Sequence, residues 1–128
     1  YASLDIIDLF NKVKPPYNIN EASQQAAIEA LKHTECVNEW IRETVEQREE
    51  LNSVLKGFSF VKAVYPSDAN FILINVADAD ALYQFLAANG IVVRNRTKET
   101  GCENCLRISV GTPEENEQLL SAFKKYQP

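Results

Sequence analysis

A chain of 128 residues is the size of a single domain with room for a core. Its 45% hydrophobic and 24% charged content is that of an ordinary soluble globular protein. The net charge of −5 argues against nucleic acid as a general partner, which needs a basic surface. No apolar run approaches the ~20 residues of a membrane span, and no signal peptide is visible. The sequence opens on Tyr1 and contains no methionine. It therefore reads as a domain cut from a longer protein, whose function belongs to the parent.

Leu4, Ile7 and Phe10 are spaced for a short helix. Pro15-Pro16 then forbids helix and imposes extended backbone, so 11–20 reads as a shaped connector. Tyr17 on that loop is a candidate site residue or simply a packing anchor. Asn20 is a good N-cap for 21–33, a segment of strong helix formers whose Ala22, Ala26, Ala27 and Ala30 suggest close packing on a neighbour. Thr34 can cap a second helix, roughly 35–56, with Val37, Ile41, Val45, Leu51 and Leu55 at helical spacing and Gly57 at its end.

From 58 the period changes. Residues 58–66 and 70–76 are rich in β-branched and aromatic residues and flank Pro66-Ser67-Asp68-Ala69, a strand connection. The unbroken apolar run Phe71–Ile74 predicts a central strand covered on both faces. A helix opens at Ala77 or Asp78 and closes at Gly90. A strand at 91–95, a polar loop and a strand at 105–110 follow. Thr112, Pro113 and Glu115 spell an N-cap, an N1 proline and a capping box for a last helix over 113–126, which buries Leu119, Leu120 and Phe123. The order is two helices, then β-β-α-β-β-α: an α+β two-layer sandwich with helices over one face of a small sheet.

Strand alternation gives the chemistry. Ile91 and Val93, with Leu106, Ile108 and Val110, form a core face. Arg94, Arg96, Arg107 and Ser109 fall on the other, gathering three of the five arginines in an acidic chain. Such forks suit a carboxylate or phosphate. Arg107 is mid-strand, where a fork can be aimed; the alternative is pairing with surface carboxylates. Other signals are thin. Cys102 and Cys105 form a lone CxxC without two further zinc ligands nearby. The odd cysteine count fits a reducing cytoplasm. His33, the single histidine, reads as a helix-end residue. Gly111-Thr112 precedes a helix N-terminus, where a simple cap is the plainer reading than an anion site. No nucleophile–base set, and so no catalytic residue, is apparent.

The motifs KPPYNIN (14–20), PSDANFIL (66–73), GIVVRNR (90–96) and CLRISVGTPEEN (105–116), in this order and spacing, resemble the C-terminal part of the histidinol-phosphate aminotransferase family, pyridoxal-phosphate enzymes of the aspartate-aminotransferase fold type. The resemblance spans essentially the whole chain. It implies a connector from a large domain at 1–20, linking helices at 21–57 and the small domain at 58–128. It also implies amino transfer between L-histidinol phosphate and 2-oxoglutarate in histidine biosynthesis, by a cytoplasmic homodimer. Arg107 and Arg94 take the places of the family's substrate-anion arginines; Arg96 is less securely placed. The Schiff-base lysine and cofactor-binding residues belong to the large domain, so this piece alone is expected to be inactive and to hold no pyridoxal phosphate. Threonine-phosphate decarboxylase and other aminotransferase small domains share much of the motif set. A freestanding anion-binding regulatory domain is the alternative of another class.

Overall fold

The computed structural model describes residues 2–15 and 19–128. They divide into two compact units, one ending at Asn38 and one running Glu39–Pro128.

The first unit is helical. Helix α1, Leu4–Val13, buries none of its residues, although Leu4, Ile7 and Phe10 are apolar. It stops where Lys14 turns extended before Pro15, as a residue preceding proline must. Tyr17 lies outside the described residues. Asn20 caps helix α2, Glu21–Ala30, by accepting the Ser23 N–H at 2.8 Å. The alanines of α2 are exposed in this chain rather than closely packed. Thr34 is no cap. A single 3-10 turn, Leu31–His33, leads into helix α3, Thr34–Leu55, and Thr34 itself is helical.

The second unit holds the sheet. Strands β1 (Val61–Val64), β2 (Phe71–Val76), β3 (Arg94–Asn95) and β4 (Cys105–Ser109) are ordered β1-β2-β4-β3, and every neighbouring pair is antiparallel. Helix α4, Ala79–Ala88, and helix α5, Pro113–Lys125, share one core with the sheet and the last turns of α3. Ile72, Ile74 and Val76 from β2 and Leu106 and Ile108 from β4 line that core. Leu51 and Leu55, Leu82 and Leu86, and Leu119 and Phe123 meet them from α3, α4 and α5. Burying each such leucine contributes about 1.5–3 kcal/mol. The α+β two-layer order read from the sequence is the observed one.

Four local expectations change. The first strand is shorter than 58–66, starting only at Val61, because the Phe58 N–H turns back to the Leu55 carbonyl at the end of α3 and the Val61 N–H to the Phe58 carbonyl. Gly57 adopts no left-handed backbone, unlike Gly90 and Gly101. The strand at 91–95 pairs only at Arg94 and Asn95. The N–H groups of Gly90 and Ile91 turn back onto the carbonyls of Ala87 and Leu86, which holds the chain against the end of α4 until Arg94. Strand β2 is central, but only its Ile72, Ile74 and Val76 face is buried; Phe71, Leu73 and Asn75 are half-buried.

Polar contacts lock the helices to the sheet. Asp78 caps α4 through the Ala81 N–H, and the capping box of Thr112 and Glu115 is formed in both directions. Asn116 is buried and makes three bonds. Its Oδ1 accepts the Gly111 N–H at 3.0 Å, and its Nδ2 donates to the Gly111 carbonyl at 3.0 Å and to Gln47 Oε1 at 2.8 Å. It thus joins the end of β4, the start of α5 and the side of α3. Arg48 is also buried, and its Nη1 donates to the Ala69 carbonyl at 3.1 Å, tying α3 to the β1–β2 connection. Tyr126 packs edge-on to Phe60 at 5.1 Å, and burial, then the Asp78 carboxylate, raises its phenol above the ordinary value. Replacing Asn116 by Ala leaves the Gly111 N–H and carbonyl without their partner. The expected loss is about 2 kcal/mol of unfolding free energy, read from the urea midpoint. A loss below about 0.5 kcal/mol, the scale of an ordinary surface substitution, contradicts the joining role.

Candidate anion-binding face

The sheet has one helix-covered face and one open one, and the register decides what stands on the open face. Leu73 pairs with Arg107, and Arg107 pairs with Arg94, so one row runs Leu73, Arg107, Arg94 from β2 through β4 to β3. Tyr65 extends the row, since its N–H donates to the Leu73 carbonyl at 2.9 Å. The next row sets Phe71 opposite Ser109. Directly opposed residues on neighbouring strands have Cβ atoms about 4.5–5.5 Å apart, where like charges repel. Two guanidinium groups are therefore mounted side by side on the middle and edge of one sheet.

Their surroundings do not neutralise them. Among the described residues, neither Arg94 nor Arg107 has a carboxylate within ion-pair distance. Arg107 is half-buried, with its guanidinium carbon 5.1 Å from the centre of the Phe71 ring. Stacking on that ring restrains the fork and gives it a favourable cation–π contact. Its Nε is buried and has no hydrogen-bond partner. Arg94, opposite, is exposed. One fork is held in the sheet and the other is free to swing, an arrangement that can close on a doubly charged anion.

The remaining residues singled out in the sequence are placed as follows. Arg96 is on the same face, but its Nη2 lies 2.6 Å from Glu99 Oε2. Asn95 points to the helix side and donates to Asp80 Oδ1 at 2.6 Å. Ser109 is exposed on the arginine face. Cys105 is buried beside the site, 3.7 Å from Asn75 Nδ2, and Cys102 is half-buried; both are free thiols. No group of three metal-ligating side chains occurs among the described residues. His33 sits exposed on its helix, 3.5 Å from Glu29. The first turn of α5 is used by its own capping box. A cleft of about 390 Å³ opens between 90–93 and 108–111, but its lining includes neither Arg94 nor Arg107. Sequence reasoning missed two residues: Phe71, the shelf under Arg107, and Glu99, the partner of Arg96. The alternation that places Phe71 and Leu73 on the arginine face was the available signal for the first.

All eight lysines are exposed, so none has the desolvated pocket that an imine-forming lysine uses.

Comparison with known proteins agrees with this fold. The family model "Aminotransferase class I and II" matches residues 1–123, and the chain belongs to that family. A histidinol-phosphate aminotransferase from Flavobacterium johnsoniae is 50% identical over 124 residues, covering 97% of this chain and 36% of the relative. The chain thus spans about a third of the length of the curated relatives it matches. The crystal structure of the histidinol-phosphate aminotransferase from Clostridium acetobutylicum superposes with a TM-score of 0.87 at 27% identity, over 94% of this chain and 37% of that one. The L-threonine-O-3-phosphate decarboxylase from Porphyromonas gingivalis shares the fold, with a TM-score of 0.76 at 23% identity over 97% of this chain and 39% of that one.

Titrating inorganic phosphate into ¹⁵N-labelled protein should shift the Nε–H resonances of Arg94 and Arg107 and leave that of buried Arg48 in place. Equal movement of all three contradicts a localised face.

Proposed function

We propose that this chain is the substrate-anion-binding part of a histidinol-phosphate aminotransferase. In this reading the whole protein moves an amino group between L-histidinol phosphate and 2-oxoglutarate, as a cytoplasmic homodimer in histidine biosynthesis. The observation that carries it is the register pairing of Arg94 with Arg107, two forks with no carboxylate partner among the described residues. The names of relatives at 50% and 47% identity favour histidinol phosphate as the substrate.

The chemistry divides between the parts. Pyridoxal phosphate, bound by residues beyond this chain, supplies the electron sink for amino transfer. The residues here bind and orient. One site must accept a phosphate monoester in one half-reaction and a dicarboxylate in the other. Planar, permanently charged forks serve both, because each can be gripped through two parallel N–H bonds. Arg107, seated on Phe71, gives the anchor a fixed direction. Arg94, exposed on the edge strand, adapts to the size of the anion. Fixing the remote anion also orients the reacting amine, and such positioning converts binding energy into rate.

The same forks would grip the phosphate of a phosphorylated amino acid, so a threonine-phosphate decarboxylase-like activity is separated by product: carbon dioxide release rather than a 2-oxo product. A regulatory anion sensor is separated by the absence of either product. In the full-length protein, Arg107→Ala should lower kcat/KM for histidinol phosphate by about 100-fold or more, the scale of losing a charge-assisted bidentate contact. The loss should fall chiefly on KM. A change of only a few-fold contradicts the assignment.

A further inference from the structure

The loop that follows β3 carries a third arginine beside the Arg94–Arg107 pair. Arg96 directly follows β3 and is two residues from Arg94, so with the backbone still extended the two side chains leave from the same face, about 6.6–6.8 Å apart. The Arg96 N–H donates to the Cys105 carbonyl at 2.9 Å, which sets Arg96 one step along the ladder from the Arg94–Arg107 pair. A free Arg96 fork would therefore reach an anion held between the other two. It is not free. Its Nη2 meets Glu99 Oε2 at 2.6 Å, with side chains 35% and 48% exposed.

The loop is built to hold that contact. The Glu99 N–H donates to the Arg96 carbonyl at 2.9 Å, the Cys102 N–H to the Glu99 carbonyl at 2.9 Å, and the Cys105 N–H to the Cys102 carbonyl at 3.0 Å. Three successive turns thus run from Arg96 back to the start of β4. Gly101 and Asn104 adopt the positive φ angles, 79° and 55°, that so tight a course requires. Glu99 is delivered to Arg96 by backbone closure rather than by a chance meeting of two flexible side chains.

We propose that Glu99 sets the anion affinity of this face by neutralising Arg96, so that the face presents two positive forks to the ligand and not three. This rests on the reading of Arg94 and Arg107 as the phosphate-binding pair. A phosphate monoester carries roughly −1.5 to −2 charge at pH 7, which two arginines match. A third would tighten substrate and product alike, lowering KM without raising kcat and slowing release. Glu99 is a positioning residue; it touches Arg96 and not the ligand.

The test uses the full-length, cofactor-loaded protein, with inorganic phosphate as competitive inhibitor and histidinol phosphate as substrate. Glu99→Gln should lower the phosphate inhibition constant and the KM by about fivefold, the scale of one partly screened ion pair, with kcat unchanged or reduced. The effect should weaken as salt is added. Arg96→Ala alone leaves the Glu99 carboxylate unpaired beside the face, so it should raise both constants by no more than about fivefold, well short of the effect of Arg94→Ala. Arg96→Ala combined with Glu99→Gln should return to the parent value, which a merely structural disturbance of the loop would not do. No effect of Glu99→Gln overturns the proposal, as does an effect that persists without Arg96. A KM rise from Arg96→Ala as large as that from Arg94→Ala makes Arg96 itself a ligand and also overturns it. Failure of Arg94→Ala and Arg107→Ala to alter either constant removes the phosphate-binding reading and this inference together.

Discussion

Two arginines stand directly opposite one another on neighbouring strands with no carboxylate among the described residues to separate them. Like charges so placed repel, and the sheet must hold them there against that repulsion. Everything around the pair serves this. Arg107 sits at the centre of β4, hydrogen-bonded between β2 and β3, where the backbone has least freedom. Its guanidinium rests on Phe71. The opposite face of the same strands is the buried core of Ile72, Ile74, Leu106 and Ile108. The alternation that buries one set of side chains exposes the other, so the core fixes the direction of the forks. A shift of β4 by one residue would turn Arg107 into the core and Leu106 out of it.

The helices supply rigidity rather than chemistry. Asn116 ties the end of β4 to α5 and α3, and Arg48 ties α3 to the β1–β2 connection. Both polar side chains are buried, where losing a partner is costly. They hold the ends of the two central strands, and so the register on which the arginine row depends. The arginine row is held in place by contacts on the far side of the sheet.

Much of this was legible in the sequence because a strand has a period of two and the relevant segments obey it. Arg94, Arg107 and Ser109 fall opposite Val93, Leu106 and Ile108 by alternation alone. Thr112-Pro113-Glu114-Glu115 specified its helix start because capping is a local affair. What was not legible depended on contacts between distant segments. Arg48 looks like one more charge on a charged helix, yet it lies three and seven residues before Leu51 and Leu55, on their buried face. Val37, Ile41 and Val45 share a helical spacing with those leucines but are exposed here, since a 3.6-residue period marks a stripe without naming its partner. The Arg96–Glu99 pair lies in a segment that reads only as a polar loop; its turns are set by two positive-φ residues whose effect depends on the strands they join.

The central claim is that the paired forks read a phosphate. The most direct measurement compares kcat/KM for L-histidinol phosphate and for L-histidinol, in the full-length protein and in its Arg94→Ala/Arg107→Ala double variant. The account predicts a strong preference of the parent for the phosphorylated substrate. In the double variant that preference should collapse by at least about 100-fold, the scale of losing charge-assisted contacts, while activity on L-histidinol changes little. An unchanged ratio between the two substrates would place phosphate recognition elsewhere and contradict the account.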